Sequence, residues 1–195
     1  TNVFGNVKEQ LGRLEETNKQ IVDISKDISS LQELLRAPKF RGAMGEVLLE
    51  NLLSQVLPKG HYSTQYRFKS GEAVDAIIKL GERIVPVDAK FSLENFQKML
   101  QTQDEQLKNA LRKRFIQDVK NRIDEVSSKY INPLENTYDF ALMYIPSESV
   151  YYEAFVKSKQ FGEDNTLVDY ALRKKVYPTS PQTIYPYLMT ILQGM

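Results

Sequence analysis

The stretch "AVDAIIKLGERIVPVDAKF", residues 73–91, decides the fold. Two short runs rich in Ile and Val are separated by Gly81 and charged residues. That pattern predicts two strands, roughly 74–80 and 84–90, joined as a hairpin. Each run carries one aspartate, Asp75 and Asp88, and Lys90 follows two residues after the second. A carboxylate in an apolar strand is costly unless it has a partner or a task. In a strand, residues i and i+2 share a face. Asp88 and Lys90 therefore project to one side, with Ala89 opposite. If the hairpin turns at Gly81, the start of one strand lies near the end of the other, which brings Asp75 to Asp88 and Lys90. Pro86 cannot donate to a ladder, so a bulge or an unpaired stretch is expected there.

Two carboxylates and a carbonyl offer hard oxygen ligands of the kind a magnesium ion prefers. A lysine beside them can orient a water or offset charge in a phosphorane-like transition state. The set suits metal-assisted hydrolysis of a phosphodiester. The same residues also fit a structural ion pair at a sheet end, and spacing alone does not separate the two.

Outward from the hairpin, residues 62–68 form a third strand candidate before it. A helix over about 40–57 carries a wide apolar stripe from Met44 to Leu57, the pattern of a helix packed on a sheet. Gly42 and Gly45 permit close backbone approach in it. Glu46 sits at the margin of that stripe and is expected to point toward the sheet edge as a third carboxylate. A long helical region, about 93–129, follows the hairpin. Its basic residues are Lys108, Arg112, Lys113, Arg114, Lys120 and Arg122. A fourth strand is expected at 138–146 and a helix at about 149–160. Then come a helix, a short extended segment, and a helix opening near Ser180 and Pro181.

At the other end of the chain, Val7, Leu11, Leu14, Asn18, Ile21, Ile24, Ile28, Leu31 and Leu35 are spaced 4-3-4-3-3-4-3-4. That is a coiled-coil seam with one polar core position, Asn18. Residues 1–37 therefore read as a stalk for self-association, or as a lone amphipathic helix packed on its own domain. Pro38 ends it, and residues 38–195 form the second domain.

The 195 residues carry 26 Lys and Arg against 25 Asp and Glu. A net charge of +1 points to nucleic acid only through a local patch. With no cysteine there is no disulfide, thiolate metal site or cysteine nucleophile. With one histidine, His61, a multi-histidine metal site within the chain is excluded. Ser147, Ser149 and Ser180 have no histidine in sequence context to activate them. No run approaches the ~20 apolar residues of a membrane span.

The blocks "RGAMGEVLLENLL", "VDAIIKL", "IVPVDAKFSLENF", "VSSKYI", "YDFALMYIPSESVYYEAF" and "VYPTSPQTIYPYLMTI" occur in this order. Together, over about residues 38–195, they resemble the RmuC family of DNA recombination proteins. The resemblance implies an α/β restriction-endonuclease-like core of the PD-(D/E)xK type, with a central mixed sheet of about four strands flanked by helices. It implies a preceding coiled coil, often behind an N-terminal membrane helix in a longer parent, with this chain on the cytoplasmic side. Family members are tied to DNA rearrangement and are usually described as nucleases.

Carried over residue by residue, the helix glutamate is Glu46, the aspartate of the PD element is Asp75, and the (D/E)xK element is Asp88-Ala89-Lys90. Val74 stands where proline is usual and Met44 where a large aromatic is usual; neither change removes a ligand. Glu148, after the fourth strand, is a secondary candidate with an indirect or structural role.

The expected function is a DNA nuclease dependent on Mg²⁺ or Mn²⁺. Asp75 and Asp88 would hold the cation, with the Ala89 carbonyl and Glu46. The alternative is a non-catalytic DNA-binding or scaffolding module that keeps the fold. Arg41, at the mouth of the Glu46 helix, and Arg112, Lys113 and Arg114 in "KNALRKR" are candidate phosphate contacts. No small-molecule cofactor is expected.

Overall fold

The hairpin forms as its sequence predicts. In a computed structural model, which describes residues 40–89, 94–157 and 166–194, β2 (Ala73–Leu80) and β3 (Arg83–Asp88) pair antiparallel from Ala76 opposite Val87 to Leu80 opposite Arg83. Gly81 and Glu82 make the turn. Gly81 takes φ +59°, the positive value that the first position of a tight turn of this kind favours. The proposed stalk, residues 1–37, and Lys90 lie outside the described residues. So does the side chain of Arg41.

β1 (Tyr62–Arg67) adds antiparallel to β2, and β4 (Ala141–Tyr144) and β5 (Val176–Thr179) continue the sheet in parallel on the β3 side. The order is β1-β2-β3-β4-β5, so the sheet has five strands rather than about four. The fifth is the short extended segment of the sequence reading. It pairs in parallel along β4, with Pro178 on an edge strand, where a missing donor is tolerated.

Helices cover both faces, because the strands alternate apolar residues to two sides. Ala76, Ile78, Val85 and Val87 pack with Leu49 and Leu53 of α1 (Phe40–Val56), with Leu57 just after it, and with Ile184 and Leu188 of α6 (Pro181–Gly194). Ile77, Ile84, Ala141 and Met143 pack with α2 (Glu94–Gln101), α3 (Glu105–Tyr130) and α5 (Leu167–Arg173). Along α3, Leu111, Phe115, Val119, Ile123, Val126 and Tyr130 are buried at helical spacing.

Three details differ from the sequence reading, and the unpaired stretch expected at Pro86 is found on one side of it only. The long helical region is two helices. Asp104 breaks it by capping α3, its Oδ1 accepting from the backbone N–H of Gln106 and Leu107 at 2.9 and 3.2 Å. The segment after β4 is a short α4 (Glu148–Tyr151) followed by a π-helical turn over Tyr152–Val156, not one regular helix. Pro86 causes no bulge against β2, where it pairs directly with Ile77. The interruption lies on the other side. Ile84 bridges Thr137 and Val87 pairs Leu142, so three steps along β3 face five along its neighbour. The neighbouring chain loops away where Pro86 has no N–H to give, and β4 is therefore shorter than the expected 138–146. Among the described residues no helix is long and apolar enough to cross a membrane.

Candidate active site at the open end of the hairpin

Asp75 is the third residue of β2 and Asp88 the last of β3. The register of Ala76 opposite Val87, carried one step further, sets the two aspartates across from each other. The Ala89 N–H donates to Asp75 Oδ2 at 2.8 Å. Asp75 and Asp88, foreseen as neighbours, are therefore together with the Ala89 backbone, while Lys90, the third foreseen there, lies outside the described residues. The two aspartates do not line an open cleft, however: Asp75 is 2% exposed and Asp88 1%.

The burial of Asp88 is matched by a residue the sequence reading placed only among helix cations. Arg122 of α3 grips Asp88 with two nitrogens. Nε donates to Oδ2 at 2.9 Å, and Nη2 donates to Oδ1 at 2.5 Å and to Oδ2 at 2.6 Å. Such a forked contact is the strong form of a charge-assisted pair. The remaining nitrogen, Nη1, reaches Glu125 Oε2 at 2.5 Å. Glu125 Oε1 accepts from Lys129 at 2.9 Å, and Lys129 lies 3.8 Å from Glu72, just ahead of β2. Arg122, Glu125 and Lys129 are three and four residues apart on one helix, the spacing at which side chains meet. A chain of alternating charge thus runs from the buried end of β3 to the surface.

The electrostatics follow. Burial works against the charge on Arg122, but Asp88 and then Glu125 outweigh it and raise its pKa above the ordinary guanidinium value. Burial also pushes Glu125 upward, yet Lys129 and Arg122 bring its carboxyl below the usual range. Tyr130, on the same helix, is pushed up to about 12, first by burial and then by the negative charge of Asp88.

The other face of the sheet supplies Glu46. Helix α1 approaches so closely that a Cβ on Gly45 would lie 2.9 Å from the Ala89 carbonyl oxygen. Glu46 follows directly, and its Oε2 accepts from Gln65 Nε2 at 2.8 Å. Gln65 falls between the pairs Thr64–Ala76 and Tyr66–Val74, and so stands opposite Asp75. Its φ is +51°, uncommon for a non-glycine residue.

The remaining candidates separate. Glu148 Oε1 accepts from the Gln182 N–H at 2.8 Å, fastening the start of α6 to α4. Arg112 is half-buried and lies 3.3 Å from Glu153, whereas Lys113 and Arg114 are exposed. Tyr66 and Phe68 meet edge to face at 5.2 Å, and Phe68 stacks on Tyr130 at 6.3 Å, so these rings belong to the core. The chemistry of the donors at the hairpin end, two carboxylates and the Ala89 carbonyl against a glycine, suits a hard divalent cation. Their arrangement is occupied by other contacts, since both Asp88 oxygens are held by Arg122. Among the described residues no group of three or more acidic or histidine side chains is arranged to hold a metal ion.

Two residues of this site escaped the sequence. Arg122 had one usable signal, its position on the flank of the Val119, Ile123 and Val126 stripe. Gln65 had none.

Comparison with known proteins adds a family. The RmuC family profile matches residues 1–195. A Pseudomonas aeruginosa protein named DNA recombination protein RmuC homolog is 28% identical over 95% of this chain and 41% of its own length. One of the same name from Pasteurella multocida is 30% identical over 91% of this chain and 36% of its own. Another, from Chlamydia trachomatis, is 28% identical over 96% and 42%. The chain thus spans about two fifths of the length of these relatives. No solved structure matches it.

Proposed function

The chain belongs to the RmuC family, and on that premise we propose that the open end of its β2–β3 hairpin is the centre of a metal-dependent DNA nuclease acting in DNA recombination. The observation that carries the reading is the meeting of Asp75, Asp88 and the Ala89 backbone at one sheet end, with Gly45 of α1, next to Glu46, packed against the Ala89 carbonyl. Asp75 and Asp88 would hold Mg²⁺ or Mn²⁺, with the Ala89 carbonyl and Glu46 as further oxygen donors. Such a cation supplies Lewis acidity to a phosphodiester. Lys90 would stabilise charge developing on the phosphate or orient the attacking water. Lys113 and Arg114, exposed on α3, would contribute backbone contacts that position DNA without reading its sequence. Residues 1–37 would join copies of the chain through the heptad seam.

A second reading has one observation in its favour. The forked Arg122–Asp88 contact is what a fold-stabilising pair looks like, and it favours a DNA-binding or scaffolding module without catalysis.

The test is incubation of purified protein with single-stranded, duplex and hairpin DNA, in Mn²⁺ or in EDTA. Under the nuclease reading cleavage occurs in Mn²⁺, stops in EDTA, and is lost in Asp75→Asn and Asp88→Asn. DNA binding without cleavage in Mn²⁺ would establish the second reading instead.

A further inference from the structure

Arg122 has no part in the chemistry proposed above, yet it holds the carboxylate that chemistry needs most. We infer that Arg122 is the resident counter-ion of Asp88, and that a divalent cation and the Arg122 guanidinium compete for the same carboxylate. The inference rests on the reading of this sheet end as a cation-dependent centre.

Three features support the competition. First, the guanidinium engages both Asp88 oxygens, at 2.5 to 2.9 Å. A cation on Asp88 would sit against a like charge in a site of low dielectric, where repulsion is poorly screened. Second, Arg122 already has another seat. Its Nη1 is bonded to Glu125, whose side chain is 36% exposed, while that of Arg122 is 17% exposed. The guanidinium thus bridges a buried acid and a near-surface one. Turning toward Glu125 would release Asp88 without leaving the arginine in an apolar setting. Third, Lys129 at 2.9 Å keeps Glu125 ionised and oriented to receive it.

The test is calorimetric titration of the full chain with Mn²⁺, using wild type, Arg122→Lys and Glu125→Gln. Thermal melts without Mn²⁺ establish that each variant is folded. Lysine keeps the positive charge but cannot fork across both oxygens of a carboxylate. Arg122→Lys should therefore bind Mn²⁺ about tenfold more tightly, the worth of one charge-assisted hydrogen bond. A simple field effect would leave that variant unchanged. Glu125→Gln removes the second seat and should weaken Mn²⁺ binding about twofold, the scale of a helix-surface pair. If wild type binds Mn²⁺ and Arg122→Lys binds it no more tightly, the competition is refuted while the cation site stands. If neither binds Mn²⁺, both the competition and the cation-dependent reading fall.

Discussion

Replacing Arg122 with alanine takes a forked partner away from a carboxylate that is 1% exposed. Replacing Asp88 with asparagine is a different loss, because Arg122 keeps Glu125 at 2.5 Å and retains some contact with solvent. The two ends of one ion pair should therefore be unequal. Removing the cation leaves a buried negative charge short of its main compensation, which costs about 3–5 kcal/mol. Removing the charge on the acid forfeits hydrogen bonds that asparagine partly restores, at a cost of about 1–2 kcal/mol. With each kcal/mol worth roughly 2–4 °C in a domain of this size, Arg122→Ala should lower Tm by roughly 6–20 °C. Asp88→Asn should lower it by less than half as much.

The double variant sharpens the expectation. Once Asp88 is neutral, removing Arg122 no longer strands a charge. Arg122→Ala should then cost less in the Asp88→Asn background than alone, a coupling of ~2 kcal/mol that a double-mutant cycle measures. Urea unfolding in EDTA is the assay, with the midpoint shifting at constant slope. If Arg122→Ala lies within ~1 kcal/mol of wild type, or Asp88→Asn is the more damaging change, the buried-acid account of this pair is wrong.

Gly45→Ala should destabilise by about 1–2 kcal/mol in the same urea assay, although alanine is the better helix former. The added Cβ would lie 2.9 Å from a backbone oxygen, and overpacking outweighs the propensity gain. A more stable variant would refute the close approach. Glu125, with its carboxyl held below the usual range, contributes stability that is present at neutral pH and lost as pH falls through its folded value. The stability difference between wild type and Glu125→Gln should accordingly be seen at neutral pH and shrink as pH falls below the ordinary carboxylate range; a gap of unchanged size in acid would mean the side chain acts through packing. Reversing the charges of Lys113 and Arg114 should weaken DNA binding and reduce the slope of log K against log salt by about two. An unchanged slope would make that helix face merely solvated.

What the sequence made legible was local. The hairpin needed only Gly81 and two apolar runs, and once it is drawn, its register sets Asp75 beside Asp88 and the Asp88-Ala89-Lys90 element, of which Lys90 lies outside the described residues. What stayed hidden depended on distant partners. Arg122 lies 34 residues from Asp88, and its direction depends on the phase of α3. The apolar stripe of Val119, Ile123 and Val126 sets that phase and puts Arg122 on its flank, but nothing local says which strand residue meets it there. Gln65 gave no hint of a positive φ, since neither glycine nor asparagine marks the position. The unpaired stretch expected at Pro86 falls on the β4 side, around Asp139, and shortens β4.

Apart from the left-handed Asn136 and Lys175, which close a 3-10 turn and the end of α5, these departures from local rules cluster. Pro86 interrupts the β3–β4 ladder two residues before Asp88. Gln65 adopts a left-handed backbone opposite Asp75. Gly45 weakens α1 in order to reach the Ala89 carbonyl. Two aspartates are buried where apolar side chains would pack more cheaply. The opposite end of the same hairpin has the ordinary tight turn at Gly81–Glu82. A fold that needed only stability could have made both ends equally regular. Local violations concentrated at one sheet end, in a sheet otherwise consistent with its sequence, are what a functional constraint leaves behind. That concentration favours a catalytic or ligand-binding role for the hairpin end over a solely structural ion pair, because the ion pair alone accounts for Asp88 but not for Gln65 or Gly45.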